Sequence, residues 1–283
     1  MRTQSPDTSP EAERVQIELL RQVDHARRLG IMASLNETVW RLSWRGIQQA
    51  NPEADDAEVG LISLALNYGQ DVADQVRLCM KRSVMVSIPP DVFSAMIPVI
   101  DAFEQLGVTY YIGGSVASSR YGIPRSTLDL DLVADLRLDH VQPFVQQLQE
   151  TFYVDESAVR EAIQWTSSFN LISLSTFVKI DVFIRKTRPY DQEAFQRVRV
   201  SPVSEAEESR PVHWVSPEDL ILAKLEWYRM GGEVSDRQWN DILGVMKLQG
   251  ARLDLTYLRQ WGQSIAVADL LERALVDAGL ADE

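Results

Sequence analysis

The apolar positions of the chain change period partway along it. Over residues 11–82 they recur at helical spacing. Val15, Leu19, Leu20 and Val23 fall in a first stretch closed by Gly30, and Val39, Trp40, Leu42, Trp44 and Ile47 follow Asn36 as an N-cap. The run Asn51-Pro52-Glu53 interrupts the pattern, and Val59, Ile62, Leu66, Val72 and Val76 resume it. Paired prolines at 89 and 90, inside the stretch 83–91, mark a boundary. Beyond them alternation enters. Residues 93–106 predict an amphipathic helix stopped by Gly107, and 108–112, β-branched and aromatic, predict a strand. Gly113-Gly114 predicts a turn, with Ser115 capping a short helix to Tyr121. Residues 128–134 alternate as a strand and 138–152 are helical. Residues 168–174 and 177–184 predict two strands joined by the tight turn Ser175-Thr176. After Pro217 helical spacing returns almost to the end.

The expected fold class is therefore α+β: a small mixed β-sheet core with flanking helices, plus N-terminal and C-terminal helical segments. The corresponding segments are a polar, proline-bearing disordered start (1–10), a helical module (11–86), the sheet-bearing core (91–215) and a C-terminal helical segment (216–279). Trp40 and Trp44, four residues apart, are expected in the core of the helical module.

Charge narrows the chemistry. The chain carries 28 Lys and Arg against 41 Asp and Glu, a net −13, which disfavours broad electrostatic binding of nucleic acid. Residues 1–86 hold 10 basic and 12 acidic side chains, so most of the excess acid lies after them. A single cysteine, Cys79, excludes an internal disulfide and fits a cytoplasmic location. His25, His140 and His213 lack the spacing of a zinc site. No apolar run approaches the roughly 20 residues that span a bilayer.

Against that background three aspartates stand out. In Leu128-Asp129-Leu130-Asp131-Leu132 a strand sends the leucines to one face and Asp129 and Asp131 to the other. In Val178-Lys179-Ile180-Asp181-Val182 the same alternation sends Asp181 away from the apolar face. Aspartate is depleted in strands and like charges so close repel, so a cation between them is the natural remedy. Three carboxylates on neighbouring strands suit magnesium or manganese, and one carboxylate can bridge two ions. Gly113-Gly114-Ser115, between a strand and a helix, lets backbone amides approach a phosphate, with a serine hydroxyl beside them. Lys224, amid Leu220, Ile221, Leu225, Trp227 and Tyr228, either snorkels to water or points at an anion. Arg125 either neutralises phosphate or pairs with a carboxylate, and Lys179 is expected to pair with Asp181. Asp236 is accounted for by the helix dipole at the start of its helix.

Gly-Gly-Ser, a short helix, Asp-x-Asp and a later strand aspartate form a pattern that resembles the DNA polymerase β-like nucleotidyltransferase superfamily. Within it, YYIGGSVASSRYGIPRSTLDLDLVADL and SPEDLILAKLEWYRMGGEVSDRQWNDILGVMK resemble small bacterial AbiEii-type nucleotidyltransferase toxins. The resemblance covers residues 91–275. It implies two divalent ions on Asp129, Asp131 and Asp181, a nucleoside triphosphate (ATP among the candidates) as donor, and a triphosphate contact for Lys224. It also implies that Asp181 helps to deprotonate the attacking hydroxyl. The N-terminal helices more weakly resemble small helical proteins encoded beside such enzymes, which implies a part that regulates or docks a partner.

The expected function is metal-dependent transfer of a nucleoside monophosphate to an acceptor hydroxyl on a tRNA end, a protein or a small molecule. A toxin restrained by its fused helices is the sharper form. The alternative is a catalytically silent nucleotide-binding or assembly module, whose mark would be the loss of a carboxylate; all three are present.

Overall fold

The computed structural model describes residues 10–80, 92–127, 129–203 and 210–281. Residues 1–9 of the expected disordered start, the proline-marked boundary at 83–91, Leu128 and the side chain of Cys79 lie outside the described residues.

In chain order the helices are α1 (Pro10–Gln22), α2 (His25–Ala50), α3 (Asp56–Tyr68), α4 (Gln70–Met80), α5 (Val92–Gln105), α6 (Gly114–Tyr121), α7 (Val141–Leu148), α8 (Glu156–Trp165), α9 (Pro189–Gln196), α10 (Pro217–Met230), α11 (Asp236–Gln249), α12 (Leu255–Ser264) and α13 (Ala268–Ala278). The strands are β1 (Tyr110–Ile112), β2 (Asp129–Ala134), β3 (Phe152–Tyr153), β4 (Ser168–Ser173), β5 (Lys179–Ile184), β6 (Arg199–Pro202) and β7 (Pro211–Trp214). The class is α+β, as the alternation predicted. The chain divides into two compact units that interleave along the sequence: Met1–Met32, Tyr111–Arg125 and Lys186–Glu283 form one, and Ala33–Tyr110 and Ser126–Arg185 the other. This division differs from the consecutive segments 11–86, 91–215 and 216–279.

In the second of these units β3, β4, β5 and β2 pair in that order. The β3–β4 and β4–β5 pairs are antiparallel, whereas β2 and β5 are parallel. Alternation along β2 and β5 is regular. Leu130, Leu132, Ala134, Ile180 and Val182 are fully buried, while the intervening residues are only partly covered. The buried face meets an aromatic stack from the helices: the Phe103 ring (α5) lies 5.2 Å from that of Phe144 (α7), which meets Phe169 of β4 edge-on at 6.0 Å.

The opposite face of the same sheet is partly covered by α3 and α4. Leu61, Leu64, Ala73 and Val76 cluster with Ile172 and Leu174, and Tyr153 and Phe177 pack against that cluster. Gly60 is needed for this fit, because a Cβ there would collide with the Phe177 ring. The Tyr153 hydroxyl donates to Gln75 Oε1 at 2.7 Å. Helices α3 and α4 are thus integral to this unit, held by apolar burial.

The helix boundaries near the start differ from expectation. α1 ends at Gln22, and Asp24 accepts the Arg27 backbone N–H at 2.8 Å to open α2, which runs on through Gly30 and Asn36. Asn36 is therefore no cap. Its Oδ1 instead accepts the buried backbone N–H of Thr127 at 2.7 Å, just before β2. Trp40 and Trp44 lie together, ring centroids 4.5 Å apart, with Trp44 clustered with Ile47 and Val59. α8, which the apolar spacing did not predict, starts where Asp155 caps the N–H groups of Ser157 and Ala158.

In the other unit β1 pairs parallel with β7, and β7 antiparallel with β6. Helices α10 to α13 pack there around Leu222, Leu243, Val245, Leu258 and Leu271, all buried. Among the described residues no helix is long and apolar enough to cross a membrane.

Asn36→Ala leaves the buried Thr127 N–H without its acceptor. It is expected to lower stability by about 1–3 kcal/mol, read as a lower urea midpoint with an unchanged slope.

Candidate functional site

The parallel register of β2 and β5 pairs Asp131 directly with Asp181, and Asp129 with Lys179. On the other side of β5, Asn170 of β4 pairs with Asp181. One row across the strands therefore reads Asn170, Asp181, Asp131, and the next reads Ile172, Lys179, Asp129. All three predicted aspartates share the polar face, because the leucines and β-branched residues between them fill the core behind.

Cross-strand carboxylates repel, and the side chains around them answer that repulsion. Lys179 Nζ lies 2.7 Å from Asp181 Oδ2, 2.9 Å from its Oδ1 and 3.8 Å from Asp129 Oδ1. The expected Lys179–Asp181 ion pair is thus formed. The Asn170 amide donates a second hydrogen bond to Asp181 Oδ1. From the end of α3 the Tyr68 hydroxyl donates to Asp129 Oδ1 at 2.9 Å, while its ring lies 5.2 Å from the Lys179 ammonium. Burial raises the Tyr68 phenol above its ordinary range, and the charge of Asp129, the hydrogen bond to it and the charge of Asp181 add to the shift. Tyr68 therefore acts as a donor at any working pH.

Among the described residues no group of three or more His, Cys, Asp or Glu side chains is arranged to hold a metal ion. In kind, however, the donor set fits a hard divalent cation: it consists of carboxylate oxygens, two of them on paired residues. The Lys179 ammonium marks where this face already stabilises positive charge.

The predicted phosphate contacts lie in the other unit. Gly113 caps α6, and Gly114 adopts φ +55°, a conformation that a side chain would strain. Ser115 falls inside the first turn of α6 rather than at its cap. Its hydroxyl accepts from Arg125 Nη2 at 2.7 Å. The same guanidinium grips Asp241 with both prongs, Nε to Oδ1 and Nη2 to Oδ2, each at 2.7 Å. Lys224 Nζ reaches Asp241 Oδ2 at 2.9 Å. Ser115, Arg125 and Lys224 are therefore brought together around one carboxylate. Of the two alternatives weighed for Arg125, the pairing with a carboxylate is the one formed.

Asp241, Tyr68 and Asn170 were not among the predicted residues. Asp241 sits among apolar positions of α11 that are almost all buried, and a lone acid on such a face was a signal that pointed to a buried partner. Tyr68 and Asn170 carried no comparable sign. Burial alone would raise Asp241. The Arg125 hydrogen bonds and the charges of Lys224 and Arg125 outweigh it and hold the carboxyl below its ordinary range.

No protein-family model matches the chain, and no curated protein matches it. Among solved structures it is similar to the antibiotic-resistance factor ANT(2'')-Ia at 17% identity and a TM-score of 0.41, over 64% of this chain and 95% of that one. It is also similar to an antigenic nucleotidyltransferase-like protein from Paracoccidioides brasiliensis, at 20% identity and a TM-score of 0.37, over 61% of this chain and 90% of that one.

Asp241→Asn removes the anion that two largely buried cations share. It is expected to destabilise the fold by about 3–5 kcal/mol in chemical denaturation. The Asp241 carboxyl is depressed in the folded state, so its stabilisation is complete above the ordinary carboxylate range and is lost as pH falls through the folded value. The gap between wild type and Asp241→Asn is therefore expected to close on acidification below about pH 4.

Proposed function

We propose that the chain is a metal-dependent nucleotidyltransferase that moves a nucleoside monophosphate from a nucleoside triphosphate to an acceptor hydroxyl, releasing pyrophosphate. The observation that carries this reading is the parallel pairing of β2 with β5, which sets Asp131 beside Asp181 with Asp129 on the same face. Such a carboxylate set on one sheet face suits phosphoryl transfer, in which positioning and electrostatics do most of the work.

In this reading Asp129, Asp131 and Asp181 hold Mg2+ or Mn2+, with two ions in the full site. When bound, the ions supply positive charge that acidifies the acceptor hydroxyl and neutralises the leaving pyrophosphate. Asp181 takes the proton of the attacking hydroxyl. Gly113, Gly114 and Ser115 offer backbone amides and a hydroxyl to the phosphates, and α6 adds the positive end of its dipole. Arg125 and Lys224, pre-positioned by Asp241, contribute cations whose orientation is set before a ligand arrives. The acceptor is a tRNA end, a protein or a small molecule.

The N-terminal helices have a part in the same reading. Tyr68 ties up an oxygen of Asp129, and Lys179 ties up Asp181, so α3 and the ion pair restrain the carboxylates. In this reading α3 acts as the fused restraint of a toxin of the toxin–antitoxin kind. The Lys179–Asp181 pair also favours a second reading, in which the module binds nucleotide or partners without catalysis and the ammonium stands permanently in place of a metal.

The test incubates the protein with each labelled triphosphate, magnesium or manganese, and separate pools of tRNA, protein and aminoglycosides. Wild type is expected to label one pool, and Asp129→Asn/Asp131→Asn to lose at least about 100-fold in rate, as loss of metal-ligand charge implies. Labelling that persists in that variant refutes the site. No labelling and no metal-dependent nucleotide binding by wild type favours the silent module. Tyr68→Phe, which frees Asp129 from one charge-assisted hydrogen bond, is expected to tighten Mn2+ binding about ten-fold.

A further inference from the structure

The chain is strongly acidic, yet one region gathers guanidinium groups and little acid. Arg28 of α2 and Arg120 of α6 are only 2% and 4% exposed. Arg28 donates to the Leu20 carbonyl at 3.3 Å, and its Nε is buried without a partner. Arg120 gives Nη2 to the Ser201 hydroxyl at 2.5 Å and stacks 4.4 Å over the Trp214 ring, while its Nε and Nη1 are buried without partners. Arg252 holds the carbonyls of Leu248 and Gln249. It adjoins this cluster through Gln249, whose amide donates to the Tyr121 carbonyl at 2.6 Å. Arg199, on β6 beside Ser201, lies 3.6 Å from Glu218. Among the described residues no ion pair joins Arg28, Arg120 or Arg252 to a carboxylate. The charge of Asp24 favours the charged forms of Arg28 and Arg120.

The His25 ring, edge-on to Tyr121 at 5.3 Å, reports the resulting field. Burial and then the charges of Arg120, Arg28, Arg252 and Arg199 push its imidazole down to about 3. All four guanidiniums therefore act on one small region. Burying cations costs heavily unless an anion compensates, and arginine does not escape the cost by losing its proton near neutrality. Arg120 with Nε and Nη1 unpartnered, Arg28 with Nε unpartnered, and the two exposed guanidiniums of Arg199 and Arg252 match the charge and multiple acceptors of a phosphate.

We propose that Arg28, Arg120, Arg199 and Arg252 form a binding site for a phosphate group, either free or carried in a phosphodiester. Arg28 and Arg120 supply the buried donors, and Arg199 and Arg252 the accessible rim. Its four residues belong to a different unit from the carboxylates of β2 and β5, and the proposal stands whether or not those carboxylates catalyse transfer.

The full chain is titrated with inorganic phosphate, against sodium chloride of matched ionic strength, and followed by thermal unfolding and by the His25 ring resonances. Phosphate is expected to raise the unfolding temperature saturably and to shift His25, with chloride doing neither. Arg120→Met is the obvious variant but buries a change in the core. Arg199→Gln/Arg252→Gln, at exposed positions, is expected to raise the half-saturating phosphate concentration at least ten-fold, read against that variant's own unfolding temperature in chloride. Asp129→Asn/Asp131→Asn is expected to bind phosphate as wild type does. A short labelled single-stranded oligonucleotide that phosphate displaces identifies the phosphodiester as a source; an oligonucleotide that does not bind leaves free phosphate. Absence of saturable phosphate binding, or binding unaltered in the Arg199/Arg252 variant, overturns the site.

Discussion

Negative charge crowded on one face of the β2–β5 pair is the constraint around which the sheet-bearing unit is organised. The strands run parallel, and their register sets Asp131 beside Asp181. Slipping either strand by one residue would relieve the repulsion only by turning its apolar residues, Leu130 and Leu132 or Ile180 and Val182, out of the core and its carboxylates into it. Apolar burial behind the sheet thus locks in an electrostatic problem in front of it. Lys179, Asn170 and Tyr68 are the answer, each from a different element and each placed within hydrogen-bonding or ion-pair distance of an aspartate.

The other unit handles charge in two opposite ways. Around Asp241, two cations converge on one buried carboxylate and are fixed by it, so their orientation is set by packing rather than by solvent. Around His25, four guanidiniums act together, and among the described residues only Arg199 of the four forms an ion pair with a carboxylate, Glu218. Net charge says nothing of either arrangement. A chain of −13 can hold a compact positive site because field strength depends on local spacing and burial.

The helices from the N-terminal stretch belong to this picture rather than standing apart from it. α3 and α4 bury Leu61, Leu64, Ala73 and Val76 against Ile172 and Leu174. That packing explains two apolar residues in and beside β4 that the alternation alone leaves unpartnered. It also delivers Tyr68 to Asp129. Covering the sheet and restraining its carboxylates are consequences of one interface, so the stability of that interface and the freedom of Asp129 are linked.

The α+β class, the strands β2, β4 and β5, and the shared face of Asp129, Asp131 and Asp181 were all legible in the sequence, because each depends on period-two alternation between near neighbours. The continuity of α2 through Gly30 and Asn36 was not, since the propensities of those two residues argue for a break that Asn36's bond to Thr127 offsets. Nor was the meeting of Arg125 with Asp241, 116 residues apart, or the meeting of Tyr68 with Asp129, 61 apart. Alternation and helical spacing assign a side chain to a face but do not say what lies across from it. Residue order alone determined which groups are acidic, which are basic and which way they point. Only tertiary packing decided which opposite charges meet, and which like charges are held together without relief.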